Sequence, residues 1–295
     1  MLTFFARHTE SLDVDDPTRA KLWDEQRIAI HYPHFNNEHP GKEDVTSLIS
    51  SDYQDVGSRR AINAIVELKT AGGYVCAQYC GMPNLLLGYV PPDSKVELIK
   101  GKWGTRNEFE GRTAILKSLP LTKVRIVKPV DHAVLIVGRP RQGTLTRWHL
   151  AGDTIINLVE RRRVVPTLTH LSASQQEIMC SEFLREPSAY HFDLPILRQL
   201  LLPTGGTMKD LDIVGIAQDG KRIMAQVTYS SKGSGTVDWK IERLLDYADD
   251  SSHLLLFCDC DQQHVDAGVT FVPLNQVFEA FSNTPAGAKW LKLSV

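Results

Sequence analysis

The chain has 295 residues, of which 42% are hydrophobic, and this is enough to bury the cores of two domains. No apolar run approaches the roughly 18 residues that a membrane span requires, so we expect none. The opening MLTFFARHTESLDVDD turns acidic early and lacks the apolar stretch of a signal peptide, so we expect a cytoplasmic protein.

The net charge of −2 hides an uneven distribution along the chain. Residues 95–163 contain 15 Lys and Arg against 6 Asp and Glu, whereas residues 164–295 contain 10 against 16. A concentrated basic stretch suits a polyanion binder, because Lys and Arg displace counterions from phosphates. A solvated basic surface is the alternative, since neighbours in sequence need not form one patch.

The first part of the chain predicts a β-rich, barrel-like domain over residues 1–168. SRRAINAIVELKTAGG predicts a helix over 58–73 that ends at a glycine pair. Short apolar runs predict strands at 27–33, 74–80, 84–90, 96–103, 113–121, 123–127 and 133–140. Many short strands after one helix are typical of a small barrel.

The glycine pair opens GGYV at 72–75, and a later strand ends in GYV at 88–90. This arrangement resembles the PUA-like barrels of the EVE and YTH group. The resemblance implies a nucleic-acid reader that can hold a flipped or modified base between aromatic side chains. The aromatic residues available for such a cage are Trp23, Tyr32, Phe35 and Trp103. Core packing is the alternative role for these rings.

Three basic clusters are predicted to contact nucleic acid, because guanidinium groups fork onto phosphate oxygens or guanine edges. Their members are Lys100, Lys102, Arg106, Arg112, Arg139, Arg141, Arg147, Arg161, Arg162 and Arg163. Any one cluster could be solvated surface, but three in one domain favour a track for phosphates.

Five cysteines, an odd number, argue against a disulfide framework. CAQYC at 76–80 and CDCDQQH at 258–264 could be read as zinc ligands, but their spacing does not match fingers or ribbons. Both lie in or beside apolar, strand-like runs, where cysteine packs as a small hydrophobic residue.

The second part alternates between helices and strands and predicts an α/β domain over residues 169–295. Helices are predicted at 174–186, 238–248 and 274–282, and strands at 211–217, 221–229, 253–258 and 269–272. Interleaved elements of this kind predict a central mixed sheet flanked by helices.

Asp219-Gly220 predicts a tight hairpin turn in which both central residues take positive φ. The turn aligns residues 211–217 against 221–228, so the start of the first strand lies beside the end of the second.

The hairpin is therefore expected to bring Asp212 close to Gln226 and Thr228, which share one face of their strand. A carboxylate, an amide oxygen and the backbone carbonyl of Val227 are suitable ligands for a hard cation.

The order of these elements over residues 172–282 resembles the PD-(D/E)XK nuclease superfamily, in particular its Mrr-type branch. The pattern is a helix with Glu177, a strand opening at Asp212, a hairpin, and a strand ending in Gln226-x-Thr228. The resemblance implies a restriction-endonuclease-like fold. It implies that Asp212, Gln226 and Glu177 organise a metal ion and water, while Thr228 stands at the lysine position.

The resemblance implies phosphodiester hydrolysis assisted by Mg²⁺ or Mn²⁺. The lysine of the motif normally orients water and stabilises developing charge, and Thr228 cannot do so electrostatically. A lysine could reach the site from elsewhere, and we favour Lys240 on the next helix over Lys221 and Lys232.

Structural roles are the alternatives for each of these residues. Ser174-x-x-Glu177 also matches a capping box. Asp212 could simply mark a strand edge or turn. Gln226 and Thr228 could be exposed strand residues.

The sequence thus predicts a DNA-binding protein and favours a Mg²⁺-dependent endonuclease of the restriction or antiviral-defence type. It would act as a homodimer or as a subunit of a defence complex. The alternative is a catalytically inactive nuclease fold that binds nucleic acid or assembles a complex. An RNA substrate is a weaker possibility.

Overall fold

The computed structural model describes residues 1–33, 45–104, 110, 112–163, 165–201 and 211–294. The chain divides into Met1–Val164, here called unit 1, and Val165–Val295, called unit 2. The division falls a few residues before the predicted boundary at 168. Of the helices in the described ranges, none is long and apolar enough to cross a membrane.

Unit 1 contains eight strands and four α-helices among its described residues. The strands are β1 Thr3–His8, β2 Arg27–Ile30, β3 Gly73–Tyr79, β4 Leu85–Val90, β5 Glu97–Lys102, β6 Thr113–Pro120, β7 Thr122–Val127 and β8 Leu145–Arg147. The helices are α1 Asp16–Asp24, α2 Val56–Ala71, α3 Val134–Val137 and α4 Gly152–Val159.

These strands form two sheets, not the single barrel that the sequence predicts. One sheet has five strands in the order β7-β4-β3-β1-β8, and the other has three in the order β2-β6-β5. The α2 crossover makes β1 and β3 parallel neighbours, while the other pairs are antiparallel. The described strands therefore leave edges in both sheets, where a closed barrel would have none.

A shared core joins the two sheets of unit 1. Phe4 of β1, Ile28 of β2 and Leu116 of β6 are buried together with Ile62 and Ile65 of α2. Period-2 alternation sends neighbouring strand residues to the opposite face of the five-stranded sheet, where α4 covers a second core.

Two features of unit 1 differ from the sequence prediction. The run 133–140, predicted as a strand, contains the short helix α3, because a short apolar run does not separate helix from strand by periodicity. Strand β1 was not predicted, although it pairs with both β3 and β8 inside the larger sheet.

Unit 2 contains six strands and four α-helices among its described residues. The strands are β9 Leu197–Leu200, β10 Ile213–Ala217, β11 Arg222–Ser231, β12 Ser252–Asp259, β13 His264–Asp266 and β14 Val269–Pro273. The helices are α5 Ala173–Phe183, α6 Gly235–Leu245, α7 Leu274–Ser282 and α8 Pro285–Ser294.

The strands of unit 2 form one mixed sheet in the order β13-β14-β12-β11-β10-β9. Strand β11 is parallel to β12 and antiparallel to β10, so it lies inside the sheet. Helices α5, α7 and α8 contribute to the core on one face, and α6 contributes to the core on the other. The predicted central mixed sheet with flanking helices is confirmed.

Candidate active site

The hairpin between β10 and β11 closes through three residues. The Ala217 N–H donates to the Lys221 carbonyl at 2.8 Å, and the Gly220 N–H donates to the Ala217 carbonyl at 3.0 Å. Gly220 has φ of +86°, whereas Asp219 is not among the residues with positive φ. The predicted two-residue turn is therefore wrong, and the loop matches a type I turn followed by a left-handed glycine.

The longer loop sets the register of the two strands. Ile213 pairs with Ala225 and Ile216 with Arg222, which places Ala217 opposite Lys221, as in the predicted alignment of 211–217 against 221–228. The Asp212 N–H donates to the Ala225 carbonyl at 3.0 Å. The hairpin thus carries Asp212 to the part of β11 that contains Gln226, as predicted.

Asp212 is anchored on β11 by a bond from the backbone to its side chain. Its Oδ2 atom accepts a hydrogen bond of 2.7 Å from the Val227 N–H. Val227, whose N–H makes this bond, also carries the backbone carbonyl that was predicted as the third oxygen ligand. A carboxylate held in this way keeps a fixed position relative to the strand.

Helix α6 brings a lysine to this pair. Ser234 caps its N-terminus by accepting from the Val237 N–H, and Val237 and Leu244 are buried against the sheet. Lys240 follows Val237 by three residues and precedes Leu244 by four, so all three lie on one face of the helix. The spacing of two apolar residues therefore directs Lys240 toward β11.

The Lys240 ammonium joins the two predicted metal ligands. Its Nζ lies 2.9 Å from Asp212 Oδ2 and also donates to Gln226 Oε1. The Lys240 and Asp212 side chains are only 14% and 20% exposed, and Gln226 is 1% exposed. One carboxylate oxygen and one amide oxygen thus converge on a single positive charge that is largely shielded from water.

Glu177 lies on α5 and does not cap it. The capping box is formed by Ser172 and Gln175, so the capping alternative for Glu177 is wrong. The Glu177 carboxylate is half-buried and forms no hydrogen bond or ion pair within the described ranges. Burial raises its pKa, the charge of Asp212 adds to this rise, and Lys240 opposes it. Glu177 therefore lies within electrostatic reach of the pair but outside its hydrogen bonds.

Thr228 does not join the cluster of Asp212, Gln226 and Lys240. Its hydroxyl accepts from the Ser230 N–H at 3.1 Å. The other two lysines considered from sequence lie elsewhere. Lys221 is exposed at the hairpin loop, and Lys232 contacts His264 and Asp266.

Two residues next to the site were not predicted. Tyr229 donates through its hydroxyl to the Leu168 carbonyl, and Gln176 Nε2 donates to the Leu171 carbonyl at 2.8 Å. Tyr229 thus ties the segment before α5 to the strand that carries Gln226, and Gln176 ties the same segment to α5. Gln176 is 1% exposed and lies three and four residues from Met179 and Cys180, which is the one sequence signal for it.

The predicted basic residues occupy different elements of unit 1. Lys100 and Lys102 lie on the edge strand β5, and Arg112 precedes β6, while Arg106 lies outside the described residues. The triplet 161–163 is exposed after α4.

The basic cluster of Arg139, Arg141 and Arg147 lies between α3 and the end of β8. Arg139 donates to Gln78 Oε1 at 2.9 Å, and Arg141 is exposed. Arg147 forms a salt bridge with Glu67, with 2.8 Å between Nε and Oε2, so its charge is already compensated.

The described members of the predicted aromatic cage pack in unit 1. Trp103 is 6% exposed and contacts the His31 ring with centroids 4.3 Å apart. Trp23 meets Tyr79 edge to face, and the Tyr32 hydroxyl pairs with Thr144 at 3.1 Å. Phe35 lies outside the described residues. For Trp103 and Trp23, core packing is the role observed.

The cysteines follow a similar division between core and surface. Cys76, Cys180 and Cys258 are buried, Cys260 is half-buried and Cys80 is exposed. Burial raises the pKa of the Cys258 thiol to about 12, which disfavours the thiolate form that binds metals.

No protein-family model and no curated protein matches this chain. Among solved structures, it is similar to the MspJI restriction endonuclease in complex with a 27-mer oligonucleotide. The identity is 10%, the match covers 90% of this chain and 72% of that chain, and the TM-score is 0.29. A TM-score of 0.29 is too low to assign a fold or a function to this chain.

Proposed function

We propose that unit 2 is a divalent-metal-dependent nuclease domain of the PD-(D/E)XK type that hydrolyses phosphodiester bonds in DNA, and that unit 1 binds the same DNA. One observation carries this proposal: Asp212 Oδ2 and Gln226 Oε1 both accept from Lys240 Nζ. The carboxylate, the amide and a lysine of the expected motif are thus in contact, although the lysine comes from α6 and not from position 228.

The donor set is compatible with Mg²⁺ or Mn²⁺. Two oxygen atoms that converge on one positive charge are suitably directed for a hard cation. Within the ranges described, no group of three His, Cys, Asp or Glu could hold a metal. Mg²⁺ nevertheless often uses one or two carboxylates together with water and substrate phosphates. Asp212, Gln226 and Glu177 would hold the ion, and we expect it to bind most tightly when DNA is present.

Asp212 and Lys240 have roles that follow from their contacts. A bound divalent cation supplies positive charge to the phosphate and acidifies the attacking water. Asp212, fixed by the Val227 N–H, orients the ligand set. Lys240 must leave at least one of its two oxygen partners as a cation enters, and its ammonium is then available to stabilise charge on the phosphate.

A catalytically inactive nuclease fold is the second candidate, and one specific observation favours it. Lys240 already compensates the charge of Asp212, and Gln226 supplies an amide where a carboxylate would attract a divalent ion more strongly. Such a protein would bind DNA and never cut it.

Cleavage of supercoiled plasmid in Mg²⁺ or Mn²⁺ tests the proposal. We expect the parent protein to nick DNA, and Asp212→Ala and Asp212→Asn to lose at least about a hundredfold in rate while still retaining DNA. The Asn variant preserves the side-chain shape and guards against a folding defect.

Asp250→Ala is the matched control, because Asp250 is an exposed acid of the same unit with no side-chain contact in the described ranges. Cleavage that survives in both Asp212 variants would refute the assignment. Binding by the parent without any nicking would favour the inactive fold. A parallel series on RNA of matched sequence separates the two nucleic acids.

A further inference from the structure

Arg7, which lies on β1, holds the segment between α3 and β8 in place. Its guanidinium donates to the carbonyl of Arg141 at 2.6 Å and to that of Pro140, while its backbone N–H donates to the Thr144 carbonyl at 2.8 Å. Three hydrogen bonds from one residue fix the backbone of the sequence RPRQGT. The loop is therefore preorganised on the end of a central strand.

The same loop directs a second guanidinium toward the same strand ends. Arg139 Nη1 lies 2.9 Å from Gln78 Oε1, and Arg139 Nε lies 3.3 Å from the Ile136 carbonyl. Gln78 on β3 is the direct register partner of Arg7. Side chains of paired residues lie on one face of a sheet, so Arg7 and Arg139 come together beside Gln78.

No acid compensates these charges in the part of the chain that the structure describes. Arg7, Arg139 and Arg141 have no salt bridge there, whereas nearby Arg147 pairs with Glu67. Burial, followed by the charge of Arg139, lowers the pKa of Arg7. Two like charges in proximity repel each other, and a bound anion would remove that cost.

We propose that Arg139 and Arg141, positioned by Arg7 and Gln78, form a phosphate-binding site on unit 1 that engages the backbone of a nucleic acid. Planar guanidinium groups bind phosphate oxygens in a bidentate manner, and a fixed loop loses little entropy when it does so. The inference rests on the proposed nucleic-acid substrate but not on its cleavage.

The test measures binding of a fluorescent DNA duplex at several salt concentrations in EDTA, so that cleavage does not interfere. Arg139→Gln and Arg141→Gln should each weaken binding at least about fivefold and reduce the slope of log K against log salt by about 1. Arg59→Gln is the matched control, since Arg59 is exposed on α2, which packs on the other face of the sheet. Equal slope changes in all three variants, or unchanged slopes at 139 and 141, would overturn the site.

Arg7 is tested as a positioning residue. Arg7→Lys keeps the charge but removes the fork onto two carbonyls, so binding should weaken while the salt slope stays near that of the parent. A slope reduced as much as in Arg139→Gln would overturn the positioning role and make Arg7 a direct phosphate ligand.

Melting temperatures measured with inorganic phosphate distinguish a failure of the phosphate-binding site from a failure of the proposed DNA substrate. Phosphate should raise the melting temperature of the parent and of Arg59→Gln, but not that of Arg139→Gln. Stabilisation through Arg139 in a protein that binds no DNA would uphold the site and reject the nucleic-acid substrate. DNA cleavage that depends on Asp212, with no effect of Arg139→Gln on DNA binding or on stabilisation by phosphate, would uphold the proposed function and reject the site.

Discussion

Lys240 Nζ lies 2.9 Å from Asp212 Oδ2, although the two residues are 28 positions apart in sequence. Asp212 precedes the β10–β11 hairpin, and Lys240 follows it on α6. In the PD-(D/E)XK pattern that the sequence resembles, a lysine would stand two residues after Gln226, where this chain has Thr228. The helix thus supplies the charge that the strand lacks.

Replacing Lys240 by Met should both destabilise the protein and suppress cleavage. The change leaves the largely buried Asp212 carboxylate without its partner, which costs about 3 kcal/mol for a buried pair. We expect cleavage to fall at least about a hundredfold. Urea unfolding and plasmid nicking measure the two effects. Lys221→Met, at an exposed loop position, should change neither, and a parent-like Lys240→Met would reject the role of this lysine.

A lysine at position 228 should restore part of the lost activity. Thr228 lies on the same face of β11 as Gln226, two residues further on. In the Lys240→Met background, Thr228→Lys should raise the nicking rate at least about tenfold over that of Lys240→Met alone. A folded double variant that nicks no faster than Lys240→Met would mean that the ammonium cannot act from β11. The assignment of Lys240 to the role of the lysine expected at position 228 would then be wrong.

The contact of Asp212 with β11 was predictable from sequence because it depends on local hairpin topology. The turn conformation was not, since Asp219-Gly220 suits both a two-residue turn and a three-residue loop. The sequence favoured Lys240 over Lys221 and Lys232, but the spacing of residues alone could not place its side chain. Its selection depends on the rotation of α6 on the sheet, which Val237 and Leu244 set by packing.

Non-local pairing explains the larger errors in unit 1. Strand β1 joins β3 across the whole of α1, β2 and α2, and no short-range pattern in TFFARH specifies that partner. The same pairing brings Arg7 beside Gln78. Arg139 and Arg141 were predicted from sequence as nucleic-acid contacts, but their neighbours Arg7 and Gln78 were not, because Arg7 lies 134 residues from Arg141 and Gln78 lies 61 residues from Arg139.

The hairpin loop can be tested through the backbone of Gly220. Its φ is +86°, and a Cβ there would meet no atom within 4 Å, so Gly220→Ala should cost about 1 kcal/mol of unfolding free energy from strain alone. Gly235→Ala, which also has open space but no positive φ, should be neutral or stabilising by up to about 1 kcal/mol. Urea titrations compare them, and equal effects would contradict the loop geometry.

Glu177 should make stability depend on pH. Its pKa is raised above the ordinary value of 4.5, chiefly by burial, so the folded state disfavours the ionised carboxylate. The parent therefore loses stability as pH rises through the folded-state pKa. Glu177→Gln carries no such charge, so its stability advantage over the parent should grow from pH 4 to pH 7.

Chemical denaturation at several pH values measures that difference. Glu182→Gln is the control, because the Glu182 side chain on the same helix is 40% exposed and pairs with Arg185, and this variant should show no growing advantage. An advantage of Glu177→Gln that is largest at pH 4 would contradict the direction of the shift.

Gln226→Glu should make folding and metal binding interdependent. Position 226 is 1% exposed and lies beside Asp212, so a second carboxylate there should lower the unfolding free energy in EDTA. A divalent ion that binds both carboxylates recovers stability by mass action, about 2.7 kcal/mol at a hundredfold excess over Kd. Melting temperature with and without Mn²⁺ measures this recovery. The same substitution at the exposed Gln199 should leave the melting temperature indifferent to Mn²⁺. If Gln226→Glu is destabilised and Mn²⁺ restores nothing, the convergence of these oxygens on Lys240 serves the fold and not a cation.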